Sequence, residues 1–288
     1  MQNLQWFPGH MAKTRRLIED NLKMIDVVVE ILDSRIPYSG RNPYFNDIIK
    51  NKPRLIVMNK TDLSDAELTR AWTEWYKAKG ITVIPISCTT GRGINKITSE
   101  ARALIQDKID RDKEKGRTRT LKIMMVGIPN VGKSSLINRL AGKASAQTGD
   151  RPGVTKGKQW IRLKGDVELL DTPGILAPKF EDQNVARKLA YTGAIKDEIM
   201  DTELLAYSLC EYLGKNYPEA LCARYKLDGV EDLEGHEILE KIGRRRGFVI
   251  SGGEVDMERA ANMVLDELRA AKIGNITLER PEELEREE

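Results

Sequence analysis

The stretch Gly127-Ile128-Pro129-Asn130-Val131-Gly132-Lys133-Ser134 has the residue types and spacing of a phosphate-binding loop, G-x-x-x-x-G-K-[ST]. In such a loop the glycines permit a tight turn whose N–H groups converge on phosphate oxygens. The lysine neutralises charge at the β/γ positions, and the hydroxyl can ligate Mg²⁺. The local context agrees, because the apolar run Ile123–Val126 reads as a strand and a helical pattern begins at Ser135. Asn130, Val131, Gly132, Lys133, Ser134 and Ser135 are therefore expected around a nucleotide's phosphates. Asp171-Thr172-Pro173-Gly174 follows a second apolar run, Val167–Leu170. That places a carboxylate near a phosphate-bound Mg²⁺ and a glycine N–H where a γ-phosphate can be sensed. Between the two lies Pro152-Gly153-Val154-Thr155. Thr155 is assigned as the second hydroxyl ligand of Mg²⁺, with Thr148 as the competing candidate and no metal contact from either as the alternative.

Asn59-Lys60-Thr61-Asp62, at the end of the run Leu55–Met58, has the chemistry to read guanine. A carboxylate at Asp62 accepts from N1–H and N2–H₂, a pattern adenine lacks, while Asn59 can donate to the opposite edge and Lys60 can cover the ring. Taken alone, the tetrapeptide also suits a helix N-cap. Ser87-Cys88-Thr89 follows the run Ile81–Ile86 and can bring backbone N–H groups to the guanine carbonyl; an ordinary turn before Gly91 is the alternative.

These motifs need a scaffold. Apolar, β-branched runs at Ile25–Leu32, Leu55–Met58, Ile81–Ile86, Ile123–Val126 and Val167–Leu170 alternate with helical patterns. Such alternation predicts an α/β, doubly wound, mostly parallel sheet. Met11, Ile18, Leu22 and Ile25 predict an amphipathic helix that packs on this sheet, and the charged stretch 106–122 a solvated helix end and connector. Beyond about Phe180 only helical spacing persists. The expected organisation is a GTPase-like domain over 1–178, a smaller all-helical domain over 179–278 and a frayed acidic tail over 279–288.

Composition constrains less. The 47 Lys and Arg nearly balance 44 Asp and Glu, for a formal charge of +3, so any anionic partner must be met by local clusters. The densest are Lys13/Arg15/Arg16, Arg35/Arg41, Lys156/Lys158/Arg162 and Arg244/Arg245/Arg246, which suit RNA backbone or, more blandly, solvated faces and a helix C-terminus. Cys88, Cys210 and Cys222 form no close pair and indicate neither a disulfide framework nor a zinc cluster. No run is long and apolar enough to span a bilayer and no leader is recognisable, so a cytoplasmic protein is expected.

The motif order is unusual, since the guanine elements precede the phosphate loop and the D-x-x-G stretch. A circularly permuted P-loop GTPase domain explains it, because strand pairing does not depend on where the chain is cut. The loop after Gly174 then leads straight into the helical domain, which gives a γ-phosphate sensor a direct mechanical outlet. Ile175 occupies the place where many GTPases carry a water-orienting glutamine, so slow intrinsic hydrolysis and acceleration by a partner are expected.

Together with the opening Trp6-Phe7-Pro8-Gly9-His10-Met11-Ala12-Lys13, these motifs resemble the circularly permuted ribosome-assembly GTPases over both domains. The resemblance implies a GTP-hydrolysing switch in late assembly of the large ribosomal subunit. Such a protein binds ribosomal RNA of the subunit precursor in the GTP state and is released on hydrolysis; no DNA partner is implied. It also implies a catalytic His10, with helix capping as the alternative use of that imidazole, acting beside Lys133, Thr155 and Gly174. Asn130 resembles the asparagine of potassium-dependent GTPases, which makes K⁺ a candidate cofactor beside GTP/GDP and Mg²⁺, with stabilisation of the loop alone as the alternative. A GTP-gated RNA or protein binding module with incidental hydrolysis is the competing function. An ATPase or nucleotide kinase is opposed by Asn59 and Asp62.

Overall fold

A computed structural model describes residues 8–49, 52–142, 159–176, 182–195, 197 and 200–284, with the backbone alone for 8–12 and 44. The chain forms two compact units, Met1–Asp182 together with Thr277–Glu288, and Gln183–Ile276.

The first unit is built on six strands: β1 (Val27–Asp33), β2 (Arg54–Asn59), β3 (Thr82–Pro85), β4 (Leu121–Gly127), β5 (Gln159–Leu163) and β6 (Val167–Asp171). Their spatial order is β3-β2-β1-β4-β6-β5, with every pair parallel except β5–β6. Strands buried on both faces read as unbroken apolar runs. All seven residues of β1 are accordingly buried. β5, an antiparallel edge with only Ile161 buried, was not among the predicted strands.

Helices described alongside the sheet include α1 (Pro8–Leu22), α2 (Pro43–Ile49), α3 (Ala66–Ala78), α4 (Lys96–Ala103), α5 (Gln106–Glu114) and α6 (Lys133–Ala141). On one face of the sheet Ile18 of α1 and Phe45 and Ile49 of α2 pack on Val28, Met124, Val126 and Leu170. On the same face α3 seats Trp72 and Tyr76 on Leu32, Ile56, Met58 and Val83. Alternation along the strands makes this one surface, because Val28 and Leu32 point the same way. Between them lies the fully buried Glu30, whose carboxyl burial pushes up against the pull of Arg54 and Arg41. α4 packs on β2 and β3, and α6 on β4 and β5, with Ile97, Ala101, Leu136 and Ile137 buried. α3 starts cleanly because the Asp65 carboxylate accepts from Glu67 N–H and Leu68 N–H, a cap worth about 1 kcal/mol. α5 buries nothing, as its charge pattern predicted.

The second unit holds α7 (Gln183–Tyr191), α8 (Thr202–Asn216), α9 (Pro218–Tyr225), α10 (Gly235–Arg245) and α11 (Met257–Arg269). α8, α10 and α11 pack together around Leu209, Leu213, Ile238, Leu239, Ala261 and Val264. α10 opens with a capping box in which the Glu234 and Glu237 side chains each receive the other's backbone N–H. The β-type pairing in this unit among the described residues is an isolated bridge between Val249 and Val255.

The expected boundaries change at the C-terminus. Residues 279–284 do not behave as a frayed tail. The chain re-enters the first unit at Thr277, Glu279 is 2% exposed and a final turn, α12 (Pro281–Leu284), buries Pro281. Composition hides this anchoring, because the segment is held by hydrogen bonds to single polar groups and by isolated apolar contacts of Leu278, Pro281 and Leu284 rather than by a periodic apolar stripe.

Candidate functional site

The C-terminal ends of β2, β3, β4 and β6 lie along one edge of the sheet, where open α/β sheets bind ligands. Asn59–Asp62, Ser87–Thr89, the phosphate loop and Asp171–Gly174 each stand at the end of one of these strands. The phosphate loop leaves β4 and opens α6, whose N-cap is Gly132 at φ 88°. Asn130 at φ 61° and Gly132 bring consecutive N–H groups to one side of the turn, a concavity suited to an anion. Among the described residues no side chain caps α6, so the N–H groups of its first turn, Lys133, Ser134 and Ser135, are not satisfied by a cap. Ser134 is half-buried and Ser135 exposed.

Lys133 and Asp171 are both buried, at 7% and 1% side-chain exposure, and form an ion pair. Burial pushes the Lys133 ammonium down, against the pull of the Asp171 carboxylate. The pair puts a cation able to meet phosphate and a carboxylate able to meet a hard metal ion within direct reach of each other. Gly174 lies against the phosphate loop, where an added Cβ would meet Pro129 N at 3.0 Å. The Ile175 N–H donates to the Gly127 carbonyl at 3.1 Å, and Asn42 Nδ2 donates to the Ile175 carbonyl at 3.0 Å. Thr172 is fixed by its hydroxyl, which donates to the Met125 carbonyl at 2.7 Å.

The base-reading side is joined to this loop through Asn59. Its Nδ2 donates to the Val131 carbonyl at 2.8 Å, and its Oδ1 accepts from Cys88 N–H at 3.0 Å. Sequence reasoning aimed the Asn59 amide at the base edge. The structure engages it in binding three loops together, and Gly132 must lack a Cβ because one would collide with Asn59 Nδ2. The Cys88 N–H is likewise engaged inside the protein, and burial pushes its thiol up to about 11. Ser87 Oγ accepts from Thr90 N–H, the Thr89 carbonyl accepts from Arg139, and Thr61 N–H and Oγ1 both donate to the Ile86 carbonyl. Asp62 Oδ1 is buried with no hydrogen-bond partner among the described residues, an acceptor of the kind guanine's N1–H and N2–H₂ would satisfy.

Behind this reader sits a charge cluster that the motifs did not announce. Asp33, at the end of β1, takes a bidentate pair from Arg35, with Nε at 3.0 Å and Nη2 at 2.8 Å. Lys60 Nζ stands 3.0 Å from Asp33 Oδ2 with its backbone at φ 65°. Burial opposes ionisation of Asp33, but the Arg35 guanidinium and Lys60 ammonium outweigh it and hold the carboxyl well below its usual range. The signal available in the sequence was the spacing Asp33-Ser34-Arg35 at a strand end.

The cluster Arg35/Arg41, read as suiting RNA backbone or a solvated face, is thereby corrected on both counts at Arg35. Arg35 is 2% exposed, and Arg41 lies 3.9 Å from the buried Glu30. Arg244, Arg245 and Arg246 pair with Glu240, Asp228 and Glu267, and Arg162 pairs with Glu168. Thr148, Thr155, Lys156 and Lys158 lie outside the described residues, and His10 falls in the first turn of α1.

A mononucleotide cleft of this build, with the strands of the base reader preceding the strand of the phosphate loop, defines a circularly permuted P-loop GTPase. Known proteins agree with that class. Residues 122–208 match the family described as 50S ribosome-binding GTPase. Ribosome biogenesis GTPase A of Priestia megaterium is 50% identical over 98% of both chains. The Bacillus cereus protein of that name is 49% identical over 97% of this chain and 95% of its own. The GDP-bound structure of YlqF, 28% identical, covers 93% of this chain and 100% of its own with a TM-score of 0.66. The chain belongs to the ribosome biogenesis GTPase A family, and it binds and hydrolyses GTP.

Proposed function

We propose that this GTPase is a timing switch in assembly of the large ribosomal subunit, engaging ribosomal RNA of the precursor with GTP bound and leaving after hydrolysis in the cytoplasm. The observation that carries the switch is the tether of Ile175 to Gly127. The γ-phosphate sensor is hydrogen-bonded to the first residue of the phosphate loop, and the chain runs from it into the helical unit. In this reading Lys133, Gly132, Asn130 and Val131 cradle the phosphates, with Ser135 beside them. Ser134, Asp171 and Thr155 hold Mg²⁺, which supplies charge neutralisation at the transferring phosphoryl group when bound. Asp62 reads guanine, Lys60 covers the base, and Asn59 with Ser87, Cys88 and Thr89 fixes the pocket's shape.

Ile175 is 7% exposed and offers no side-chain hydrogen bond to water. We assign that task to His10, completed on the ribosomal particle, and give Asn130 a K⁺ ion as charge partner. No helix among the described residues is long and apolar enough to cross a membrane. Large-subunit precursors incubated with the protein and either GDP or a non-hydrolysable GTP analogue test the proposal. Retention with the analogue and loss with GDP is expected; equal retention with both would remove the timing role.

A further inference from the structure

The C-terminal segment is anchored where a tail would not be. Leu278 N–H donates to the Arg35 carbonyl at 2.8 Å, and Asp65 N–H donates to Thr277 Oγ1 at 3.0 Å. The Glu279 carboxylate accepts from Tyr38 N–H at 2.7 Å and from Ser39 N–H at 3.0 Å, while its own backbone carbonyl takes the Trp72 indole N–H at 3.1 Å. Tyr76 completes the clamp by donating its hydroxyl to the Pro37 carbonyl at 2.7 Å. Every one of these bonds lands on the loop 34–39, on Asp65 just past the base reader, or on the helix α3 that follows it.

That loop begins where Asp33, itself paired with Arg35, holds Lys60, and Ser34 N–H donates to the Asn59 carbonyl at 2.8 Å. We propose that Thr277–Glu279 is a positioning strap of the guanine pocket, in which the Glu279 carboxylate fixes the loop 34–39 and thereby Asp33, Lys60 and the Asn59–Asp62 reader. A buried carboxylate that accepts two backbone N–H groups has no purpose in a disordered tail, and charge-assisted bonds of this kind are the stronger ones. The chain leaves the first unit after Asp182 and returns at Thr277, so the strap is the direct continuation of the helical unit. A displacement at the end of that unit therefore reaches the guanine side covalently, as one at its start reaches Gly174.

The strap rests on the reading of Asn59–Asp62 as the guanine reader, and the test separates the two. Release of a fluorescent GDP is timed from the full chain carrying Glu279→Ala, Glu279→Gln, Thr277→Val, or the exposed-site control Glu282→Ala. We expect release about tenfold faster for Glu279→Ala, equivalent to about 1.4 kcal/mol of lost retention. Glu279→Gln keeps one oxygen that can accept both N–H groups and is expected to recover part of the loss, with Glu282→Ala unchanged. Turnover at saturating GTP should stay within twofold while KM rises, which a general loss of folding would not produce. Release within twofold of the parent for a folded Glu279→Ala overturns the strap. If that variant does not fold, unchanged release in both Glu279→Gln and Thr277→Val overturns it. Asp62→Asn measured alongside with xanthosine and guanosine diphosphates isolates the base reader: no change of preference defeats that reading and the strap with it, whereas a switched preference with unmoved Glu279 variants defeats the strap alone.

Discussion

Replacing Gly132 by alanine puts a methyl group against Asn59 Nδ2, at a backbone φ of 88°. Two costs add. A non-glycine residue in the left-handed region costs roughly 1–2 kcal/mol. The methyl also has to displace an amide that is hydrogen-bonded on both sides, to the Val131 carbonyl and from Cys88 N–H. Losing two such bonds costs about 1 kcal/mol each, and more where a buried polar atom is left unsatisfied, so about 2–3 kcal/mol. The backbone term burdens the folded protein whether or not nucleotide is present. The second is the tie that pre-organises the phosphate loop against the guanine reader, and bound nucleotide has to restore it. At about 1.4 kcal/mol per decade, GDP affinity should fall roughly 30- to 100-fold. The summed loss of about 3–5 kcal/mol should lower the midpoint of thermal unfolding by about 6–20 °C, taking about 2–4 °C per kcal/mol for a domain of this size. Titration of a fluorescent GDP and differential scanning calorimetry measure both. A Gly132→Ala protein that melts within about 2 °C of the parent and binds within threefold would refute the three-loop tie, since the about 2–3 kcal/mol assigned to the tie by itself exceeds both margins.

Other outcomes follow from the same geometry. His10→Ala should leave GDP binding intact and abolish most of the acceleration by ribosomal particles; acceleration of parental size would remove His10 from the chemistry. Turnover in KCl should exceed that in NaCl at equal ionic strength, and equal rates would leave Asn130 a purely structural part of the loop. Asp33 has a depressed folded value, so its contribution is complete above the unfolded carboxyl's value of about 3.9 and is lost as pH falls from there toward the folded value. Chemical unfolding should therefore show the gap between the parent and Asp33→Asn narrowing below about pH 4, and a gap that stays constant from pH 7 to pH 3 would contradict the buried Arg35–Asp33–Lys60 cluster.

What was legible in the chain followed from how strongly local chemistry constrains it. β1, β2, β3, β4 and β6 are buried on both faces, so an apolar run marks each one, and the phosphate loop and base reader sit at their ends because sterics and anion binding demand particular residue types there. β5 escaped because an exposed antiparallel edge such as Gln159–Leu163 needs only Ile161 inside. α2 is a seven-residue helix, too short to establish a period. Arg35 and Arg41 read as surface cations because a pairing with Asp33 or Glu30 depends on the fold of the loop between β1 and α2. Thr277 and Leu278 read as the end of the helical domain and Glu279 as the start of a tail because the partners of this segment, Tyr38, Ser39, Asp65 and Trp72, lie more than two hundred residues earlier in the chain. Long-range polar contacts carry no periodicity, and a buried glutamate looks like any other glutamate in sequence.

A permuted chain that still reads guanine does so through Asp62, just beyond the end of β2. Turnover of GTP and xanthosine triphosphate by the parent and by Asp62→Asn tests it most directly, because the substitution exchanges an acceptor for a donor with little change in shape. Preference is expected to pass from GTP to xanthosine triphosphate in Asp62→Asn, whereas a variant that keeps the parent's preference for GTP would mean that Asp62 does not read the base.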